Sequence, residues 1–406
     1  MRTRRRIVAA AALAAAAILG AGCAAQPSAS TSPDPETVAA IEETVATFFA
    51  DHPVNAVIVK VTAGEQELYR AALGESMTGV PATPEMHFRN GAVAISYVAM
   101  VLLQLDDEGV LSVDDLVSQY LPSAPYADEV TLRELAQMTS GIQDYVPVLQ
   151  FQDDLMADPF HLWTADELLS YVADEPLWFE PGTNFGYSHA GYVILGHALE
   201  AATGETLSAL IQERILDPLE LTGTHATLTA EIPEPALHAF SSERRGFFGV
   251  AEGVPFSEES SYWSPSWTIS HGAVQTSTID DLSTTIRAIG TGALLSPEAH
   301  EAMVSTALRG FGEPVEGCPG CFTQSEGYTY GIGLVNTGDW IMQNPLFSGY
   351  AAVTAYLASE DIAISVAVTF APDAFAADGS YPNLADTLFR DLGAVLAPDD
   401  APPVRR

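Results

Sequence analysis

Residues 180–196, EPGTNFGYSHAGYVILG, set Tyr187, Ser188 and His189 side by side. A histidine next to a hydroxyl is the usual arrangement for moving protons to and from a nucleophile, so this stretch is the first candidate for acid/base chemistry. Cys318-Pro319-Gly320-Cys321 is a C-x-x-C motif, the spacing of a redox pair or of half a zinc site. No second cysteine pair and no thioredoxin-like alternation accompany it, so in an exported chain a disulfide closing the loop is expected. His189, His197 and His271 follow no recognised metal-ligand spacing, and neither a metal nor a cofactor is expected. Tyr262, Trp263 and Trp267 cluster in a Ser/Pro-rich loop, where they either line a ligand cleft or pack over the core.

Periodicity locates the elements that must hold these residues. Residues 92–108 carry apolar side chains on nearly every face, the pattern of a helix buried all round, and Gly109 suits a left-handed stop. Asn90 and Gly91 stand at its entry, so free first-turn N–H groups are expected there, a ready site for an anion. The spacing of Val38, Ile41, Val45, Phe48 and Phe49 predicts an amphipathic helix over 36–50, followed by a hairpin of strands 55–62 and 67–73. The small residues Thr139, Ser140 and Gly141 read as a turn, and 272–297, entered through Ser/Thr and paired Asp, as a capped long helix. Residues 362–370, IAISVAVTF, read as a buried strand, and Leu384, Leu388 and Leu392 as a closing helix.

The stretch FRNGAVAI at 88–95 resembles the start of the helix bearing the Ser-x-x-Lys motif in the serine β-lactamase and D-alanyl-D-alanine carboxypeptidase superfamily, which includes penicillin-binding-protein-like and esterase-like members. A typical member reads F-R-I-G-S-V-T-K. Ala92 occupies the serine position and Ile95 the lysine position; Lys60 is the only lysine in the chain, so no Ser-x-x-Lys exists in any register. The 180–196 segment resembles the one that supplies Tyr-x-Asn, with Tyr187 kept and His189 replacing the asparagine. Aligning Ser348-Gly349-Tyr350 with the family's Pro-Gly-Tyr puts Gln343, Asn344 and Pro345 on the Lys-Thr-Gly or His-x-Gly triad, and no His, Lys or Arg occurs from 331 to 370. Proline is tolerable in this triad because its strand is expected to be an edge strand. The resemblance implies an α/β fold of the α+β type, with a central antiparallel sheet from N- and C-terminal strands, flanking helices and an inserted mainly helical subdomain.

Two readings of function follow. The first is a pseudoenzyme that keeps the cleft as a binding surface, because nucleophile, base and cationic anchor are lost together. Its pocket would be apolar and aromatic, lined by Ile95, Tyr187, Trp263 and Trp267 with Ser96 and Asn344 nearby, and its ligand or protein partner is open. The second is an active serine hydrolase with a relocated nucleophile, drawn from Ser96, Ser188 or His189. Metal-assisted chemistry through His189, His197 and His271 is a weaker third.

A formal net charge of −37 repels phosphate backbones, which argues against nucleic-acid binding, while 48% apolar residues argue for a globular core. Residues 1–22 combine a basic start with an apolar run too short to span a bilayer, the form of a secretory signal. Leu19-Gly20-Ala21-Gly22-Cys23 resembles a bacterial lipobox, which implies lipidation of Cys23 and a place on the outer face of the cytoplasmic membrane; plain secretion is the alternative. Residues 23–35 are expected to form a tether, 36–398 a single monomeric domain, and 399–406 a disordered tail.

Overall fold

The computed structural model describes residues 33–226, 229–251 and 253–404. The expected signal segment, Cys23 and the tether up to residue 32 lie outside the described residues. Helix α1 (Pro35–Asp51) starts where the Asp34 carboxylate accepts the Thr37 N–H, and it buries Ile41, Val45 and Phe48. Strands β1 (Val54–Ala63) and β2 (Gln66–Met77) form the hairpin, with β3 (Val80–Pro81) on its rim.

Strand β4 (Phe88–Arg89) feeds α2 (Val93–Asp107), nearly every residue of which is buried. A helical region follows: α3 (Leu132–Ala136), α4 (Leu149–Ala157), α5 (Ala165–Ser170), α6 (His189–Thr203) and α7 (Leu207–Ile211). Short strands β5 (His225–Ala226), β6 (Phe240–Ser241), β7 (Glu258–Glu259) and β8 (Val274–Ser277) lead back to α8 (Ile279–Thr291) and α9 (Pro297–Met303). Thr278 caps α8 through the Asp281 N–H, as the Ser/Thr entry predicted.

The chain closes with β9 (Thr329–Tyr330), β10 (Val335–Thr337), β11 (Trp340–Gln343), β12 (Leu346–Phe347), β13 (Tyr350–Leu357), β14 (Ile362–Phe370) and α10 (Leu384–Leu396). The main sheet runs β3-β2-β1-β14-β13-β11-β10-β9 with β12 also on β13, and its pairs are antiparallel. N- and C-terminal strands therefore meet at β1 and β14, the join the family resemblance implied. Strands β13 and β14 are buried along their whole length, because α8 covers them from one element and α10 from another.

Three expectations need correction. The long helix expected over 272–297 is shorter, because 274–277 form β8, paired with β4 and β5, and α8 stops at the left-handed Gly292 before a separate α9. The strand before Asn344 is not an edge strand: β10 pairs with β11, and only the part beyond Gln343 is uncovered. Pro345 is accommodated because it falls in the break between β11 and β12, where its carbonyl accepts the Ala352 N–H and its missing donor costs nothing. Residues 399–404 are also not a loose tail. The Trp340 indole N–H donates to the Asp400 carbonyl at 2.7 Å, Arg390 and Thr337 donate to the Pro403 carbonyl, and Pro402 is buried.

Candidate functional site

Gly91 lets the site form. Its φ is +45°, and a Cβ there would sit 2.5 Å from the Pro345 Cβ and 2.9 Å from the Phe347 ring, so only glycine allows the β11–β12 segment to close on the start of α2. Ala92 follows as the N-cap with no side-chain hydrogen bond. The first-turn donors are not free as expected: the N–H groups of Val93, Ala94 and Ile95 return to Asn90, Gly91 and Ala92 at 3.1, 3.0 and 3.0 Å. Tight three-residue bonds absorb them, and among the described residues the Gly91 and Ala92 N–H groups beside the cavity have no hydrogen-bond partner.

The opposite wall, Tyr187 and His189, is positioned by α3 and the turn after it. Thr131 and Glu134 form a reciprocal capping box. Gly141, at φ +75°, lies against the Phe179 carbonyl and accepts the Trp178 N–H, while Thr139 and Met138 accept the N–H groups of Gly182 and Gly186. The Thr-Ser-Gly turn thus shapes the backbone and fixes 178–188. Ser188 then caps α6, its hydroxyl accepting the Gly191 N–H at 3.2 Å and donating to the Gln143 carbonyl at 3.4 Å. Behind Tyr187, its N–H reaches the Gly320 carbonyl, and the bonded Cys318–Cys321 pair packs against Gly186.

His189 is the residue with the most chemistry. Its Nδ1 is 2.9 Å from Oδ2 of Asp144, whose other oxygen accepts the N–H groups of His189 and Val146. Asp144 is buried, so the pair is a held His–Asp dyad, and among the described residues the imidazole Nε2 makes no hydrogen bond. The rings of Tyr187, Trp267 and Tyr145 lie 5.1, 5.9 and 6.0 Å from it. Burial pushes the Tyr187 phenol well above its ordinary value, so it is a neutral hydroxyl and supplies no phenolate base.

A cavity of about 250 Å³ gathers Ala92, Tyr187, His189, Trp267, Gln343, Asn344 and Pro345, with Phe347 and Tyr328 completing its aromatic lining. Other predicted positions fall elsewhere. Ile95 is 1% exposed and lies in the core, outside the lining. Trp263 is likewise buried, with the Arg244 guanidinium 5.8 Å from its ring, because the loop that carries it packs inward while Trp267 turns to the cleft. Ser96 is wholly buried, donates to the Gly333 carbonyl at 2.7 Å and accepts from Gln343. The Gln343 amide also donates to Gly333 at 2.8 Å, and Asn344 turns to Asp386 at the start of α10. His197 pairs with Glu200 on a separate groove and His271 is exposed; among the described residues no three metal-binding side chains come together.

Sequence reasoning missed Asp144, Phe347 and Tyr328. Nothing in the spacing joins Asp144 to His189, 45 positions later; an aspartate after a Ser-Gly turn reads as a turn former.

The sequence model of the Beta-lactamase family matches residues 41–389. Penicillin-binding protein 4 of Amycolatopsis lactamdurans is 33% identical over 166 residues, 39% of this chain and 40% of that protein. Esterase EstB of Burkholderia gladioli is 32% identical over 41% of this chain and 45% of its own length. The chain thus spans under half the length of these curated relatives. Among solved structures, the D-amino acid amidase of Ochrobactrum anthropi SV3 superposes with a TM-score of 0.73 at 19% identity, covering 90% of this chain and 99% of that one. The D-stereospecific amidohydrolase of a Streptomyces species gives 0.68 at 23% identity, covering 83% and 94%, and at these identities both likenesses concern the fold. With a family match that runs from α1 to α10 and a cleft built where α2 meets β11, the chain belongs to the Beta-lactamase family of the serine β-lactamase and penicillin-binding-protein superfamily.

Proposed function

We propose that this chain is an exported, membrane-tethered pseudoenzyme that binds a small ligand in the family cleft without forming a covalent bond to it. One observation carries the reading: every hydroxyl offered as a substitute for the missing nucleophile is engaged elsewhere. Ala92 supplies a methyl group at the nucleophile position, Ser96 is sealed against Gly333, and Ser188 is consumed in capping α6. The lysine position is closed as well, since Ile95 is core. No His, Lys or Arg stands on 331–370 to hold a substrate carboxylate, so β-lactams and peptides with free carboxylates bind weakly. The signal-like start, Cys23 and the Cys318–Cys321 bridge support export and tethering, and no helix among the described residues is long and apolar enough to cross a membrane.

The His189–Asp144 dyad favours a second reading, in which the imidazole activates water toward an ester or amide. Turnover of a chromogenic ester and of a chromogenic cephalosporin, run beside an active relative, separates the two. The pseudoenzyme reading expects rates at background; an ester hydrolysis lost in His189→Ala supports the second.

A further inference from the structure

The cavity has a definite polarity. Because Nδ1 of His189 faces the Asp144 carboxylate, the imidazole donates there, and its free Nε2 is an acceptor toward the cavity when the ring is neutral. The lining rings are packed edge to face and tilted: Tyr187 and His189 meet at 71°, Trp267 and Phe347 at 88° and His189 and Trp267 at 46°, so rings of several orientations line the space. Among the described residues no lysine or arginine lines it. Arg89, three residues before Ala92, is spent on Thr276 and the Ser261 carbonyl. Carboxylates stand behind the wall, the buried Asp144 on His189 and Asp386 on Asn344, and the chain as a whole carries −37. An N–H acceptor, aromatic faces and a negative background together select a cation with N–H groups. At about 250 Å³ the cavity lies below the roughly 300–1,000 Å³ of drug-sized sites, so the ligand is small.

We propose that the cavity is a site for a small primary organic ammonium ion, its N–H donated to Nε2 of His189 and its charge set against the rings of Tyr187, Trp267 and Phe347. This rests on reading the cleft as a binding site. The ring faces favour the positive charge through their quadrupoles, and the imidazole distinguishes a primary ammonium from a quaternary one, which has no N–H to give.

The test is calorimetric titration of the full-length protein at pH 8 with benzylammonium, benzyltrimethylammonium, benzyl alcohol and benzoate. Benzylammonium is expected to bind about tenfold more tightly than benzyl alcohol, and benzoate least of all. Trp267→Ala lowers affinity for both cations, whereas His189→Ala lowers it for benzylammonium and spares benzyltrimethylammonium. Thermal melts confirm that the variants fold, and Phe347→Leu serves as a milder second probe of the ring wall. Equal or tighter binding of benzyl alcohol or benzoate overturns the ammonium inference, and if Trp267→Ala abolishes that binding the cleft is still a binding site. Absence of binding by all four at millimolar concentration, or cation binding unaffected by either variant, also overturns it. Covalent turnover in the cleft would instead sink the reading on which it rests.

Discussion

Glu243 provides the most quantitative expectation. It sits in the short turn Glu243–Arg245, where the Ser241 hydroxyl donates to it at 2.6 Å and the backbone of Ser348 and Gly349 and the Tyr381 hydroxyl stand close. These contacts tie it to the turn between β12 and β13, and so to Phe347 in the cavity wall. Burial dominates over these hydrogen bonds and raises the carboxyl from 4.5 to about 7. The sign follows directly: below the unfolded value both states are protonated and the stabilisation is complete. Between the two values unfolding releases a proton, so stability falls as pH rises, by at most about 1.4 kcal/mol per pH unit. The whole window amounts to about 3 kcal/mol, lost by the time pH passes the folded value. Glu243→Gln removes this titration and nothing else of the same sign. Urea unfolding of both proteins from pH 4.5 to 8 should show the variant gaining about 3 kcal/mol on the wild type across that range. A difference that stays constant with pH would refute the claim that a half-buried, protonated carboxyl braces this turn.

Three other outcomes are expected. Ala92→Ser with Ile95→Lys restores little turnover of a chromogenic ester, because the strand still lacks a cation, Tyr187 stays neutral and a lysine at a core position tends to lose its charge; a rate near that of an active relative would contradict this. Ending the chain after Ala397 strips the Trp340 indole and Arg390 of their carbonyl partners and should cost about 2–4 kcal/mol in urea unfolding, whereas an unchanged midpoint would mean that 399–404 adds nothing. Cys23→Ala is expected to move the protein from the membrane to the soluble fraction in cell fractionation, and retention in the membrane would require another anchor.

Much of the site was readable because it lies on elements with strong local signals. Gly91-Ala92 heads an unmistakably apolar helix, Tyr187 and His189 sit in a dense motif, and 343–345 could be counted back from Ser348-Gly349-Tyr350; all of these meet in one cavity. Side-chain direction was harder. Ile95 and Trp263 share elements with lining residues yet turn into the core, a distinction of helix rotation and loop packing that residue type does not encode. Asp144 was invisible for another reason: its partnership with His189 exists only once the 139–141 turn docks on 178–186. The misread tail shows the same limit, since 399–404 looks polar in sequence but supplies backbone carbonyls to Trp340, Thr337 and Arg390.

The central claim, that the cleft forms no covalent bond with its ligands, is tested most directly by the intact mass of the protein after incubation with excess penicillin and, separately, with a fluorophosphonate. With Ala92 at the nucleophile position and Ser96 and Ser188 committed to other hydrogen bonds, the mass is expected to stay that of the free protein while an active relative is labelled under the same conditions. A stoichiometric adduct that peptide mapping assigns to Ser96, Ser188 or His189 would contradict it.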